Sequence, residues 1–233
     1  RRLHVYTPPG YEKGEGRFPV FYLLHGAGDS DDSWTTVGRA GFILDNLIAA
    51  GKAAPMILVA DTGYAAFPGA NTATNRSAAT AAFADVMLQE LIPGIDAAFR
   101  TRAGREHRAM AGLSMGGSQT LHIALRHLDR FAWIGVMSGP PRQGFDAATA
   151  YDGVFQDAAA FNQKVRLLWL GAGTAEEPFH VSTLAMHEAL DRAGIRNVFH
   201  SSAGTDHEWQ TWRRGLHDLA PRLFQNEPPT SRP

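Results

Sequence analysis

One serine stands where this sequence could do covalent chemistry. Gly112-Leu113-Ser114-Met115-Gly116-Gly117 sets glycine two residues before and two residues after Ser114. Glycines remove the Cβ atoms that would clash where a strand doubles back into a helix, so the spacing suits a sharp nucleophile elbow that pushes the hydroxyl outward. A serine hydroxyl is a poor nucleophile at neutral pH. It needs a neighbouring base, usually an imidazole held in the right tautomer by a carboxylate.

Where a serine sits on such an elbow, the acid and then the histidine follow it along the chain. The acid is expected after a later strand, which points to Glu176 or Glu177, with Glu176 preferred. Asp146, Asp152 and Asp157 rank lower, because they lie in irregular sequence ahead of that strand. His207 follows the last strand and is the expected base. Asp206 beside it reads as the N-cap of a helix starting near Glu208. Each residue also has a plainer alternative: Ser114 as a helix N-cap, His207 as a surface histidine, and the two glutamates as acidic residues favouring a helix start near Pro178.

Acyl transfer also needs N–H donors where negative charge develops on oxygen. These are commonly the amide after the nucleophile and one from an early loop. Met115 and Ala27 fit, the latter within His25-Gly26-Ala27-Gly28, while His25 itself reads as a hydrogen-bonded structural residue. Trp34, Trp209 and Met115 lie in or beside these loops and could form an apolar pocket for an acyl or aromatic group, whereas Trp133 and Trp169 fall inside strands and read as core. Glu176, Glu177, His180 and His187 are clustered, but no HExxH-type spacing is present, so no metal and no cofactor is expected.

The elements that must position these groups alternate strand and helix. Strands are expected at Leu3 to Tyr6, Pro19 to His25, Pro55 to Ala60, His107 to Ala111, Phe131 to Met137, Lys164 to Leu170 and Arg196 to Ser201. Helices are expected over Gly41 to Ala50, Ser77 to Phe99 with a kink at Pro93-Gly94, Met115 to His127, Pro178 to Arg192, and from about Glu208 onward. Residues 63 to 75 read as a surface loop, and residues 139 to 162 as irregular. Wholly apolar strands alternating with helices argue for a mostly parallel central sheet covered on both faces, an α/β architecture whose sites lie beyond the carboxyl ends of the strands.

The 233 residues suit a single domain over 1–225 with a Pro-rich tail over 226–233. A formal charge of −1 with scattered Lys and Arg gives no reason to expect nucleic acid. The chain has no cysteine, which removes disulfides and thiolate chemistry. No apolar run approaches the ~20 residues of a membrane span.

The matching segments Val5-Tyr-Thr-Pro-Pro-Gly-Tyr11, Tyr22-Leu-Leu-His-Gly26, Asp45-Asn-Leu-Ile48, Glu90-Leu-Ile-Pro93, His107 through Gly117, Leu168 through Thr174, and His207-Glu-Trp209 with Trp212-Arg213 span nearly the whole chain. On these residues the sequence resembles the feruloyl-esterase branch of carbohydrate esterase family one, within the larger esterase D-like group. The resemblance implies an α/β-hydrolase fold and a serine carboxylesterase that releases ferulate or related hydroxycinnamates from plant polysaccharide such as arabinoxylan. Acetyl xylan esterase, or an esterase for siderophores or other small acyl groups, is the alternative within catalysis. A catalytically silent carbohydrate-binding domain is the alternative from another class. Ser114 matches the family nucleophile, His207 its base, and Ala27 with Met115 its oxyanion donors.

At the acid the chain departs from the pattern, with Ala175-Glu176-Glu177-Pro178 where many relatives carry Asp. Counting from Gly173 puts Glu176 in that place, and a one-residue shift puts Glu177 there. The resemblance further implies feruloylated or acetylated xylan fragments as partners, a carbohydrate-binding domain upstream in the full-length protein, and a secreted or periplasmic location.

Overall fold

The computed structural model describes residues 1–65, 75–141 and 144–225. Residues 66–74 of the expected loop, and the tail over 226–233, lie outside the described residues.

The strands are β1 (Leu3–Tyr6), β2 (Val20–Leu24), β3 (Ile57–Asp61), β4 (Arg108–Leu113), β5 (Trp133–Met137), β6 (Leu167–Gly173) and β7 (Val198–Ser202). They form one seven-stranded sheet in the order β1-β3-β2-β4-β5-β6-β7. All neighbours are parallel except β1, which runs antiparallel to β3. Every residue of β2 through β6 is buried, while the edge strands β1 and β7 are mostly half-buried. That gradient explains the sequence: a strand covered on both faces has no polar side, and so reads as a continuous apolar run.

The helices are α1 (Ser33–Thr36), α2 (Ala40–Ala49), α3 (Arg76–Val86), α4 (Ile92–Ala98), α5 (Met115–Arg126), α6 (Ala150–Gly153), α7 (Ala158–Lys164), α8 (Phe179–Arg192) and α9 (Trp209–Leu219). They cover the sheet in two layers. Alternation along β2 divides the core: Val20, Tyr22 and Leu24 pack with residues of α3, α5 and α8. Phe21 and Leu23 pack on the other face with α2 and α9, where Leu44, Leu47, Trp212 and Leu216 are buried.

Three expectations need correction. The break in the helix over 76–98 is not a kink at Pro93-Gly94 but a π-helical turn, Met87–Leu91, just ahead of it. Pro93, in the first turn of α4, has no N–H to return to a carbonyl one turn back, and the widened turn accommodates that loss. The stretch 139–162 is not wholly irregular, because α6 lies in it and α7 starts within it. Asp157 Oδ1 accepts from Ala160 N–H at 2.9 Å and caps α7. The sixth strand then starts at Leu167 rather than Lys164 and runs on through Gly171 to Gly173. Position 173 needs glycine because a Cβ there would collide with the Thr205 backbone.

The parallel registers align the carboxyl ends. Leu24 pairs with Gly112, Leu113 with Met137, Met137 with Gly171, and Gly173 with Ser202. The segments leaving β2, β4, β6 and β7 therefore emerge on one rim of the sheet.

Candidate active site

Ser114 leaves β4 and enters α5 with φ 51° and ψ −112°, a conformation that a non-glycine residue rarely takes. Its surroundings enforce it. Ser114 N–H donates to Met137 O at 2.8 Å, and Gly116 N–H to His25 O at 3.1 Å, so the turn is tied to β5 on one side and to the end of β2 on the other. A Cβ at Gly112 would sit 2.5 Å from Gly116 O, which is why the glycines flank the serine. Although Ser114 occupies the N-cap position of α5, its hydroxyl makes no capping bond. It lies 3.0 Å from His207 Nε2 instead.

His207 sits between β7 and α9. Its Nδ1 is 2.6 Å from Glu176 Oε1. A carboxylate can only accept there, so the proton belongs on Nδ1 and Nε2 is left free to accept from the Ser114 hydroxyl. The ring is also held by packing: Phe179 lies parallel to it at 4.3 Å and 16°, and Trp212 meets it at 5.0 Å and 89°. Asp206 does not cap α9, whose N-cap is Glu208. Its Oδ1 accepts from the His207 backbone N–H at 2.7 Å.

Glu176 is wholly buried, and its second oxygen accepts from Gly173 N–H at 2.8 Å. The loop that carries it is fixed to the neighbouring strand end by Thr174 N–H to Ser202 O at 2.9 Å and Ala175 N–H to Thr205 O at 3.0 Å. Glu177 is exposed, and its carboxylate has no partner among the described residues. Of the two acids, Glu176 alone reaches His207.

Ala27 follows the end of β2 on a loop that backs onto the elbow, where a Cβ at Gly26 would meet Ser114 Cβ at 3.4 Å. The amides of Ala27 and Met115 donate to no group among the described residues. His25 is buried, as expected of a structural residue, with its ring nitrogens 2.8 Å from Gly26 O and 2.7 Å from Thr62 O.

The expected aromatic pocket needs one correction. Trp34 is 1% exposed, donates from Nε1 to Leu24 O at 2.9 Å, and belongs to the core under α2. It cannot line a pocket, because α1 turns its ring inward. It supports Trp209 edge-on at 5.1 Å, and Trp209 in turn meets Trp212 at 5.3 Å. Trp209 and Met115 are half-exposed. Trp133 and Trp169 are core residues.

His180 and His187 point to Ser201 and Asn197 at 2.8 and 2.7 Å. No cluster suited to a metal ion exists among the described residues, and none of their helices is long and apolar enough to cross a membrane. Sequence reasoning quoted Trp212 only as a matching residue and passed over Phe179 and Tyr64. Phe179 opens α8 and Tyr64 follows the carboxyl end of β3, which is the one signal that could have found them.

Comparison with known proteins gives the family and the fold. The family model named Esterase matches residues 1–223. An endo-1,4-beta-xylanase/feruloyl esterase of Xylanibacter ruminicola is 38% identical over 229 residues, covering 95% of this chain and 29% of that protein. The chain thus spans less than a third of that relative's length. Among solved structures, a ferulic acid esterase superposes with TM-score 0.76 at 25% identity, covering 96% of this chain and 92% of the other. A CE1 ferulic acid esterase from Anaeromyces mucronatus, in complex with ferulic acid, gives TM-score 0.79 at 23% identity, covering 95% and 84%, a likeness of fold. Matched by its model over all but the last few residues, and carrying serine, histidine and carboxylate in line on an α/β-hydrolase sheet, this chain belongs to the Esterase family of carboxylic ester hydrolases.

Proposed function

We propose that this chain is a serine esterase releasing ferulate or a related hydroxycinnamate from ester links on xylan, with Ser114, His207 and Glu176 as its catalytic residues. One observation carries the reading: Ser114 Oγ, His207 Nε2, His207 Nδ1 and Glu176 Oε1 form a continuous line, with gaps of 3.0 and 2.6 Å.

His207 Nε2 takes the Ser114 proton as Oγ attacks the ester carbonyl carbon. Negative charge on the carbonyl oxygen is received by the amides of Ala27 and Met115. The imidazolium returns the proton to the sugar oxygen as the ester C–O bond breaks, leaving an acyl-enzyme. A water deprotonated by the same imidazole attacks that acyl group, the acid departs, and Ser114 regains its hydrogen. Throughout, buried Glu176 faces the charge that forms on His207, and Phe179 with Trp212 keeps the ring in plane. Trp209, half-exposed against the Trp212 ring that meets His207, and Met115, half-exposed next to the serine, serve as the apolar wall for the acyl group.

The choice of ferulate and xylan rests on what the relatives are named for. A carbohydrate-binding domain upstream in the full-length protein, and a secreted or periplasmic location, belong to the same proposal.

Ser114→Ala is expected to lower kcat on methyl ferulate by at least ~10⁴. An organophosphonate should form an adduct at Ser114 of the native chain only. Near-native turnover by the variant would sink the assignment, and a native chain that takes no label would favour a silent binding module. Rates on methyl ferulate, acetylated xylan and a catecholate siderophore rank the acyl group.

A further inference from the structure

A hydroxyl outside the Ser114-His207-Glu176 line is bonded directly to the loop that carries Ala27. Gly28 N–H donates to the phenol oxygen of Tyr64 at 3.0 Å. Tyr64 stands just beyond the carboxyl end of β3, 47% exposed, with its ring 5.7 Å from that of His25.

Its backbone is firmly held. Arg1 Nη2 donates to Tyr64 O at 3.0 Å, while Arg1 Nη1 donates to Asp61 Oδ1 at 2.6 Å and Thr62 Oγ1 at 3.0 Å. Gly63 N–H donates to the same Asp61 oxygen at 3.0 Å. The segment also reaches the other oxyanion donor. Gln119 Nε2, on the helix that Met115 begins, donates to Gly63 O at 2.8 Å, and the His25 ring lies between Gly26 O and Thr62 O. Residues 61–64 therefore touch both the loop bearing the Ala27 amide and the helix bearing the Met115 amide.

The loop itself is weakly constrained. Gly28 has φ +85°, Ala27 and Gly28 are exposed, and the turn is closed by a single long bond, Asp29 N–H to Gly26 O at 3.3 Å. A donor stabilises a developing oxyanion best when it is already aimed, since reorganisation during the reaction is then avoided.

We propose that Tyr64 is a positioning residue of the oxyanion site. Its hydroxyl, by accepting from Gly28, fixes the direction of the adjacent Ala27 amide relative to that of Met115. The proposal rests on the reading above, in which those two amides receive the oxyanion. Because Gly28 is exposed, water replaces the lost acceptor when the hydroxyl is removed. The loss therefore falls on aim rather than on folding.

Tyr64→Phe keeps the ring against His25 and deletes only the hydroxyl. On methyl ferulate, kcat is expected to fall about tenfold with KM within about twofold of native. Affinity for an aryl trifluoromethyl ketone, whose hemiketal oxygen takes the oxyanion position, should fall by the same factor. Affinity for ferulate and the thermal midpoint should stay at native values. The proposal is overturned if kcat is native, if the loss lies in KM alone, or if kcat falls while the ketone binds as tightly as before. The two readings fail separately: a native chain that neither hydrolyses esters nor takes the phosphonate removes the proposed function. A native chain that does both, matched in kcat by Tyr64→Phe, removes only the role of Tyr64.

Discussion

Replacing Glu176 by glutamine tests the line of three residues at the member for which the sequence offered two candidates. Both Glu176 oxygens act as acceptors, one toward His207 Nδ1 at 2.6 Å and the other toward Gly173 N–H at 2.8 Å. Glutamine has one acceptor and one donor group for these two places. With its oxygen on Gly173, its NH₂ faces Nδ1, the imidazole proton moves to Nε2, and Nε2 can no longer accept from Ser114. With its oxygen on His207, two buried donors meet at Gly173, which costs about 1–3 kcal/mol, and the imidazolium formed in the reaction has lost its counter-charge. The charge centres lie roughly 4 Å apart, so at an effective dielectric of about 20 the lost attraction is ~4 kcal/mol, or about a thousandfold in rate.

Initial rates on methyl ferulate should therefore show kcat for Glu176→Gln down by ~10³, with KM little changed. Glu177→Gln, whose carboxylate is exposed and unpartnered among the described residues, should stay within about twofold of native. The reasoning is refuted if Glu176→Gln keeps more than about a tenth of native kcat, or if Glu177→Gln loses as much.

Two further expectations concern stability. Trp34→Phe keeps an aromatic ring beside Trp209 but deletes the bond from Nε1 to Leu24 O, so it should lower the free energy of unfolding in urea by about 1–3 kcal/mol with KM unchanged. A changed KM at native stability would return Trp34 to the pocket wall. Asp31 is held by Arg2 at 2.5 and 2.8 Å with His4 at 3.1 Å, and the guanidinium pushes its carboxyl down to about 2. A depressed folded-state value means that the pair stabilises above about pH 4, and that this stability is lost as pH falls from there toward about 2. Because Arg2 is 70% exposed, solvent screening keeps the contribution small. Asp31→Asn should be less stable than native at pH 5, with a smaller difference at pH 2, and urea midpoints that differ equally at both would contradict the assignment.

What the sequence made readable was order along the chain, and what it withheld was direction. Strands β2 through β6 are wholly buried, so their apolar runs stood out, and each run marked the rim where the next polar residue would emerge. That was enough to bring Ser114, the Glu176-Glu177 pair and His207 to one place. Nothing local separates two consecutive glutamates. Their directions are set by Thr174 and Ala175, whose amides bond to Ser202 and Thr205 on a later strand and loop, and these turn Glu176 inward and leave Glu177 in solvent. Trp34 was misplaced for the same reason, since proximity to the His25–Gly28 loop in sequence does not say which way α1 points a ring. Tyr64 escaped notice because its hydroxyl meets an amide 36 residues away. The residues proposed to react are thus specified by motif and order, whereas those proposed to aim them are specified only by the register of the sheet. A substitution in the second group should alter the rate of the reaction without altering its kind.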